Sequence, residues 1–270
     1  MEIKSISEQL LYSTIRITAG KSVGTAFFFQ YEVGSLTVPV IVTNKHVVNN
    51  NPGQEVGFVL HTETSDCKSN AISLIYSNGW IFHPNYDLCI CYANPIFEQV
   101  EKQLNCSVIF RALNESLIFG DEKLKSLTPI EEVVMVGFPL GLWDNYNKLP
   151  VFRKGITATA PKIDYQGKAE GLVDMACFNG SSGSPIFIYN QGAYEHEGGL
   201  SLGSRLIFLG IQYSSMCLAT EGELFEVETG KTIKSRTPIL ANLGLYIKAK
   251  ELFYFKDFIK KDLEKQHESA

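Results

Sequence analysis

The feature that most constrains this chain is a rhythm of short β-forming runs separated by glycine, asparagine, aspartate and proline. A first series occupies residues 13–17, 24–31, 38–43, 55–61, 71–77 and 87–92, and a second occupies 133–137, 151–160, 172–176, 185–189, 205–214 and 243–248. Runs this short, rich in Val, Ile, Thr, Phe and Tyr and bounded by turn formers, predict strands and an all-β class. Residues 98–132 carry scattered charge and little alternation, which suits a crossover linker with a short helix. Two β-barrels in tandem are the simplest arrangement, with the boundary near residue 120. In the tail, Leu252, Phe255, Phe258, Ile259 and Leu263 fall on one helical stripe, predicting an amphipathic helix packed on the second barrel. The expected units are therefore 1–120, 121–249 and a C-terminal helix and tail, 250–270.

Composition removes several function classes. A chain of 270 residues with 45% hydrophobic residues can bury a sizeable core without staples. Its net charge of −5 provides no basic face for a phosphate backbone, so nucleic acid is not an expected partner. No apolar run is long enough to span a bilayer, and acidic residues interrupt the polar face of the tail helix, so no membrane partner is expected either. The first residues show Glu2 and no apolar stretch, unlike a secretory signal, and a cytoplasmic location follows as the expectation. In that compartment the six cysteines are expected as free thiols. Cys89 and Cys91 lie two apart on a strand and share a face, but no further ligand pattern stands nearby; they read as small core residues, with no metal and no cofactor expected.

The strongest chemical signal is Asn179-Gly180-Ser181-Ser182-Gly183-Ser184-Pro185. A serine hydroxyl is a weak nucleophile, so it must stand on a tight turn where a base can take its proton and N–H groups converge on the oxyanion. This segment resembles the nucleophile loop of chymotrypsin-like serine proteases, Gly-x-Ser-Gly-Gly/Ser-Pro. Thr43-Asn44-Lys45-His46, preceded by Gly24-Thr25-Ala26-Phe27-Phe28, is similar to the segments around that family's histidine, and Asp87-Leu88-Cys89-Ile90 to its aspartate strand. An α/β-hydrolase esterase is the competing reading of a serine on a glycine-bounded turn. Its pattern is G-x-S-x-G with the histidine last, whereas Ser184 stands at the final glycine and the order here is His46, Asp87, Ser182. Residues 134–141 and 152–158 extend the resemblance toward the bacterial high-temperature-requirement proteases, without the peptide-binding module often fused to them.

The resemblance implies two six-stranded antiparallel β-barrels with the active site in the cleft between them, plus the C-terminal α-helix. It implies a serine endopeptidase with Ser182 as nucleophile, His46 as general base and Asp87 as its orienting carboxylate, and with the N–H groups of Gly180 and Ser182 as the oxyanion hole. Carried over by position, the specificity pocket would be Ala176 at the base, Tyr213, Ser214 and Ser215 along one wall and Gly244 at the back. None is charged, which implies cleavage after an uncharged residue. Ser181 replaces the aspartate that pancreatic zymogens pair with a freed N-terminus, so that switch is not expected. Protein or peptide is the implied substrate, and loop ordering or a separate regulatory protein the implied gate. The rival reading is a catalytically silent pseudoprotease that acts as a binding module.

Overall fold

The computed structural model describes residues 5–63, 69–77, 79–196, 198–225 and 232–268. Helix α1 (Ile6–Ser13) opens the chain. Its N-cap Ser5 and Glu8 form a reciprocal capping box that satisfies the first backbone donors. Nine strands follow: β1 (Thr14–Ala19), β2 (Ser22–Val33), β3 (Leu36–Thr43), β4 (Glu55–Glu63), β5 (Ser69–Ser77), β6 (Ile81–Phe82), β7 (Cys89–Tyr92), β8 (Ser107–Ile109) and β9 (Leu113–Asn114). Helix α2 (Asn94–Leu104) lies between β7 and β8. These strands form one sheet in the order β5-β4-β1-β2-β3-β7-β6, with β8 added on β4 and β9 on β2.

After the short α3 (Asp121–Leu124) come β10 (Glu132–Gly137), β11 (Val151–Thr157), β12 (Glu170–Asp174), β13 (Pro185–Asn190), the hairpin β14 (Ala193–His196) and β15 (Gly199–Leu202), then β16 (Arg205–Phe225) and β17 (Thr232–Lys248). Six of these close a barrel in the order β10-β11-β12-β17-β16-β13, and every pair in it is antiparallel. The chain ends in α4 (Phe253–Glu268).

The two halves differ from the expected matched barrels. Among the described residues only the second half closes; the pairings of the first run from β5 to β6 and stop there. β6 is two residues long because the chain turns immediately afterwards. Pro84 has no N–H to give a ladder, and the His83 ring takes up the N–H groups of Asn85 and Tyr86 at 3.2 and 3.1 Å. The hairpin of β16 and β17 also runs far beyond the expected strand ends, pairing as far as Phe225 with Thr232. Outside the barrel this ribbon meets solvent, leaving Leu218 and Ile239 exposed, so its sequence lacks the apolar alternation that marks a half-buried strand.

Period-two alternation builds three cores. Along β2, Ala26 and Phe28 point into a cluster with Ile17, Ile41, Phe58, Cys89 and Cys91 inside the first half. Phe27, Phe29 and Tyr31 point the other way, against Val136, Phe187, Phe208 and Ile247 of the barrel. The barrel interior is a third cluster around Met135, Val173, Ile186, Ile207 and Tyr246. Because β2 is buried on both faces, it reads as a continuous apolar run and also joins the halves. Phe27 meets Phe208 edge to face at 5.4 Å, a geometry worth about 0.5–1.5 kcal/mol beyond its burial.

The tail helix forms as the stripe predicts, but its packing differs. Phe255 and Ile259 are fully buried in the cluster shared by both halves, while Phe258 stays exposed. Polar anchors reach the first half: Tyr31 Oη donates to O of Leu252, the residue before the helix, at 2.8 Å, Tyr92 Oη to Asp262 Oδ2 at 2.8 Å, and Lys256 Nζ to Glu115 Oε2 at 2.7 Å. A helical stripe specifies that a face is buried and not which surface covers it. The helix leaves the barrel at Lys248 and straps it to the opposite sheet.

Candidate active site

His46 sits in a short 3₁₀ helix, Lys45–Val48, directly after β3. Asn44 caps that turn with an extended backbone, is fully buried, and donates from Nδ2 to Asp87 O at 2.6 Å. Asp87 in turn holds His46 twice. Its Oδ1 accepts the His46 backbone N–H at 3.1 Å and its Oδ2 accepts from Nδ1 at 2.5 Å. A carboxylate can only accept, so Nδ1 carries the proton and Nε2 is left as the ring's acceptor. The pair is not sealed from water: the side chains of His46 and Asp87 are 41% and 28% exposed.

The turn before Asp87 is held by His83, which the sequence reading passed over. Besides accepting two N–H groups, its ring packs on Tyr254 and Phe255 of α4 at 4.6 and 5.8 Å. Burial, and then the nearby Lys45 charge, push its pKa down to about 4, so it is a neutral acceptor at neutral pH. The aspartate is thus positioned partly by the strap helix.

Ser182 stands on the loop between β12 and β13. Gly180 and Gly183 take φ of +89° and +87°, a region costly for any other residue. At Gly180 a Cβ would lie 2.6 Å from Phe138 O, and at Gly183 it would collide with Thr25 O. Three bonds press the loop against the first half and the barrel, and a fourth, from Phe138, holds Thr25 in place. Thr25 N–H donates to Ser182 O at 2.9 Å, Thr25 Oγ1 to Gly180 O at 2.9 Å, Phe138 N–H to Thr25 Oγ1 at 3.1 Å, and Gly183 N–H to Gln212 O at 2.8 Å. Thr43 Oγ1 steadies Thr25 O at 2.8 Å. Thr25 is the joint of the site, and a threonine in a β-rich run carries no signal that sets it apart.

Leu140 N–H donates to Asn179 O at 2.5 Å, which fixes the peptide joining Asn179 to Gly180. Among the described residues, neither Gly180 N–H nor Ser182 N–H has a protein acceptor, so both donors remain available. Ser181 is fully buried and neutral, and its Oγ accepts Phe178 N–H at 3.4 Å. The Ser182 hydroxyl donates to Tyr213 O at 3.3 Å and so rests on β16 rather than on the histidine.

His46 and Ser182 face one cleft of about 490 Å³, also lined by Lys21, Ser22, Val23, Val47, Leu140, Gly141, Asn179 and Gly180. Ala176, Tyr213, Ser214, Ser215 and Gly244 are not among its walls. Ser214 and Ser215 lie on β16 opposite Leu245 and Gly244 of β17, and a Cβ at Gly244 would run into Cys177 Sγ. The Cys177 thiol therefore occupies the space beside Gly244, and burial pushes its pKa to about 11 against the lowering influence of Arg153. Tyr213 Oη donates to Glu170 Oε2 at 2.9 Å; burial and then this bond raise its pKa. Glu170 was not expected near the site.

Cys89 and Cys91 are fully buried, and burial raises both thiols. Cys106, Cys177 and Cys217 are likewise free thiols, while Cys67 lies outside the described residues. No helix among the described residues is long and apolar enough to cross a membrane. No protein-family model matches the chain and no curated protein matches it, so the chemistry of the site rests on its own geometry.

Proposed function

We propose that the chain is a serine endopeptidase that hydrolyses peptide bonds through an acyl-enzyme intermediate. The observation that carries the reading is His46, held twice by Asp87 and facing the same cleft as Ser182. Once its hydroxyl swings from Tyr213 O toward His46, Ser182 loses its proton to Nε2 as Oγ attacks the carbonyl carbon. The oxyanion is received by the free N–H groups of Gly180 and Ser182. His46 then gives the proton to the leaving amine, the C–N bond breaks, and water repeats the sequence to release the acid. Asp87 keeps the imidazole in the required tautomer and stabilises the imidazolium.

The uncharged side chains of the carried-over pocket, Ala176, Tyr213, Ser214, Ser215 and Gly244, support cleavage after an uncharged residue. Free thiols fit a cytoplasmic setting. The resting contact of Ser182 with Tyr213 favours a gate, set by loop ordering or by a separate regulatory protein. Taken to its limit, it favours the second reading, a silent pseudoprotease that binds peptides without turnover.

Labelling with a serine-directed phosphonate and peptide-library cleavage by the full chain, with Ser182→Ala as the blank, separate these readings. Labelling at Ser182 together with cleavage that the blank lacks supports the protease. Peptide binding without labelling or cleavage sinks it and favours the silent module.

A further inference from the structure

We infer that Lys21 selects peptides carrying a carboxylate on the leaving-group side of the scissile bond. The inference rests on the serine-protease reading and deepens it. His46 must deliver a proton to the leaving amine, so the departing half of the peptide lies on the histidine's side of Ser182. The cleft is on that side, because His46 and Val47 form its wall. On the other side of Ser182 lies β16, whose Tyr213 carbonyl takes the serine hydroxyl and whose residues 213–215 do not line the cleft. The acyl half of the peptide belongs there. The cleft is left for the leaving half.

Lys21 brings the one full positive charge to that cleft, and no Asp or Glu lines it. Asp87 is engaged by His46. Among the described residues Lys21 has no acidic partner of its own. Its backbone is also well fixed. Ala19 pairs with Ser22, so Gly20 and Lys21 alone make the turn between β1 and β2, and Gly20 takes the φ of +60° that a two-residue hairpin with glycine first requires. β1 is paired with β2 along its whole length, from Ala19 opposite Ser22 to Thr14 opposite Phe27. Lys21 therefore lines, from a short paired hairpin, a cleft whose other lining residues include no Asp or Glu. A glutamate or aspartate in the leaving peptide gains an attraction there, and a lysine or arginine meets a like charge.

The test is cleavage of a peptide library randomised on both sides of the scissile bond, read by mass spectrometry of the products. Acidic residues within the first positions of the leaving peptide should be favoured over basic ones by about two- to fivefold in kcat/KM at low salt, the range of an exposed ion pair. The ratio should shrink near 0.5 M salt, where charges are screened within about 4 Å. Lys21→Arg should keep the preference, Lys21→Ala should flatten it, and Lys21→Glu should invert it. The inversion is a gain that misfolding cannot mimic. A flat or basic wild-type profile, or an acidic preference that survives in Lys21→Glu, overturns the inference while the protease reading stands, provided Ser182→Ala abolishes cleavage. Absence of both cleavage and phosphonate labelling, or labelling with no member cleaved, overturns the endopeptidase reading and this inference with it.

Discussion

The two halves of the molecule solve the same problem differently. The second half closes its six strands into a barrel and keeps a private core, whereas the first is an open path of strands that buries one face internally and lends the other to its neighbour. A closed barrel has no edges to protect. An open sheet needs cover, and here the barrel, helix α1 through Leu10, and the strap α4 supply it. The division extends to the candidate site: His46 and Asp87 come from the open half, Ser182 and the free N–H groups of Gly180 and Ser182 from the closed one. The stability of the closed half is largely its own, and that of the open half is borrowed.

Four experiments break or sharpen this contrast. The largest effect is expected at the open half's chemical contribution. Asp87→Asn should lower kcat by about 10⁴-fold, because an amide presents an N–H that selects the wrong histidine tautomer, and steady-state kinetics against Ser182→Ala reads it. Next is the borrowed stability. Phe255→Ala empties a fully buried site on the strap and should cost about 3–5 kcal/mol in denaturant unfolding, with hydrogen exchange rising in β2, β3 and β7 before the barrel strands. Uniform exchange across both halves would show a single cooperative unit instead.

A smaller loss is expected where the halves meet. Gly183→Ala forces a side chain onto Thr25 O at a φ of +87° and should cost about 3 kcal/mol while reducing kcat, since the loop must move. A normal melting temperature in that variant would mean the joint is soft. The smallest effect is acid sensitivity. The folded pKa of His83, about 4, lies below its unfolded value, so its contribution is fully present above about pH 6.5 and is lost as pH falls toward 4. Glu251, 3.6 Å from the ring and raised by burial, acts in the opposite sense, so the net loss between pH 7 and pH 5 should be about 1–2 kcal/mol. His83→Gln should flatten that slope in paired unfolding curves.

What could be read beforehand follows the range of the physics involved. The Ser182 loop, His46 and Asp87 could be picked out because their segments resemble a known family's motifs, and the structure sets Asp87 against His46 and His46 with Ser182 on one cleft. The strands of the barrel were legible from alternation. The open path of the first half, among the described residues, was not, because it depends on how the chain turns after β6, where the His83 ring takes up two N–H groups. The stripe on α4 predicted burial of Phe255 and Ile259, yet their partners come from β2, more than two hundred residues away in sequence. Thr25 and Glu170 were invisible for the same reason: each has an ordinary identity in its own strand and acquires its role from a residue on another, Gly180 and Tyr213.

The bond from Thr25 N–H to Ser182 O has a consequence for safety. The Ser182 carbonyl is fastened to the opposite half, so any fluctuation that parts the halves also pulls the Ser182 backbone out of register with His46. Under the proposed chemistry a partly opened molecule is a disarmed one, able to hydrolyse a peptide only while it is itself intact.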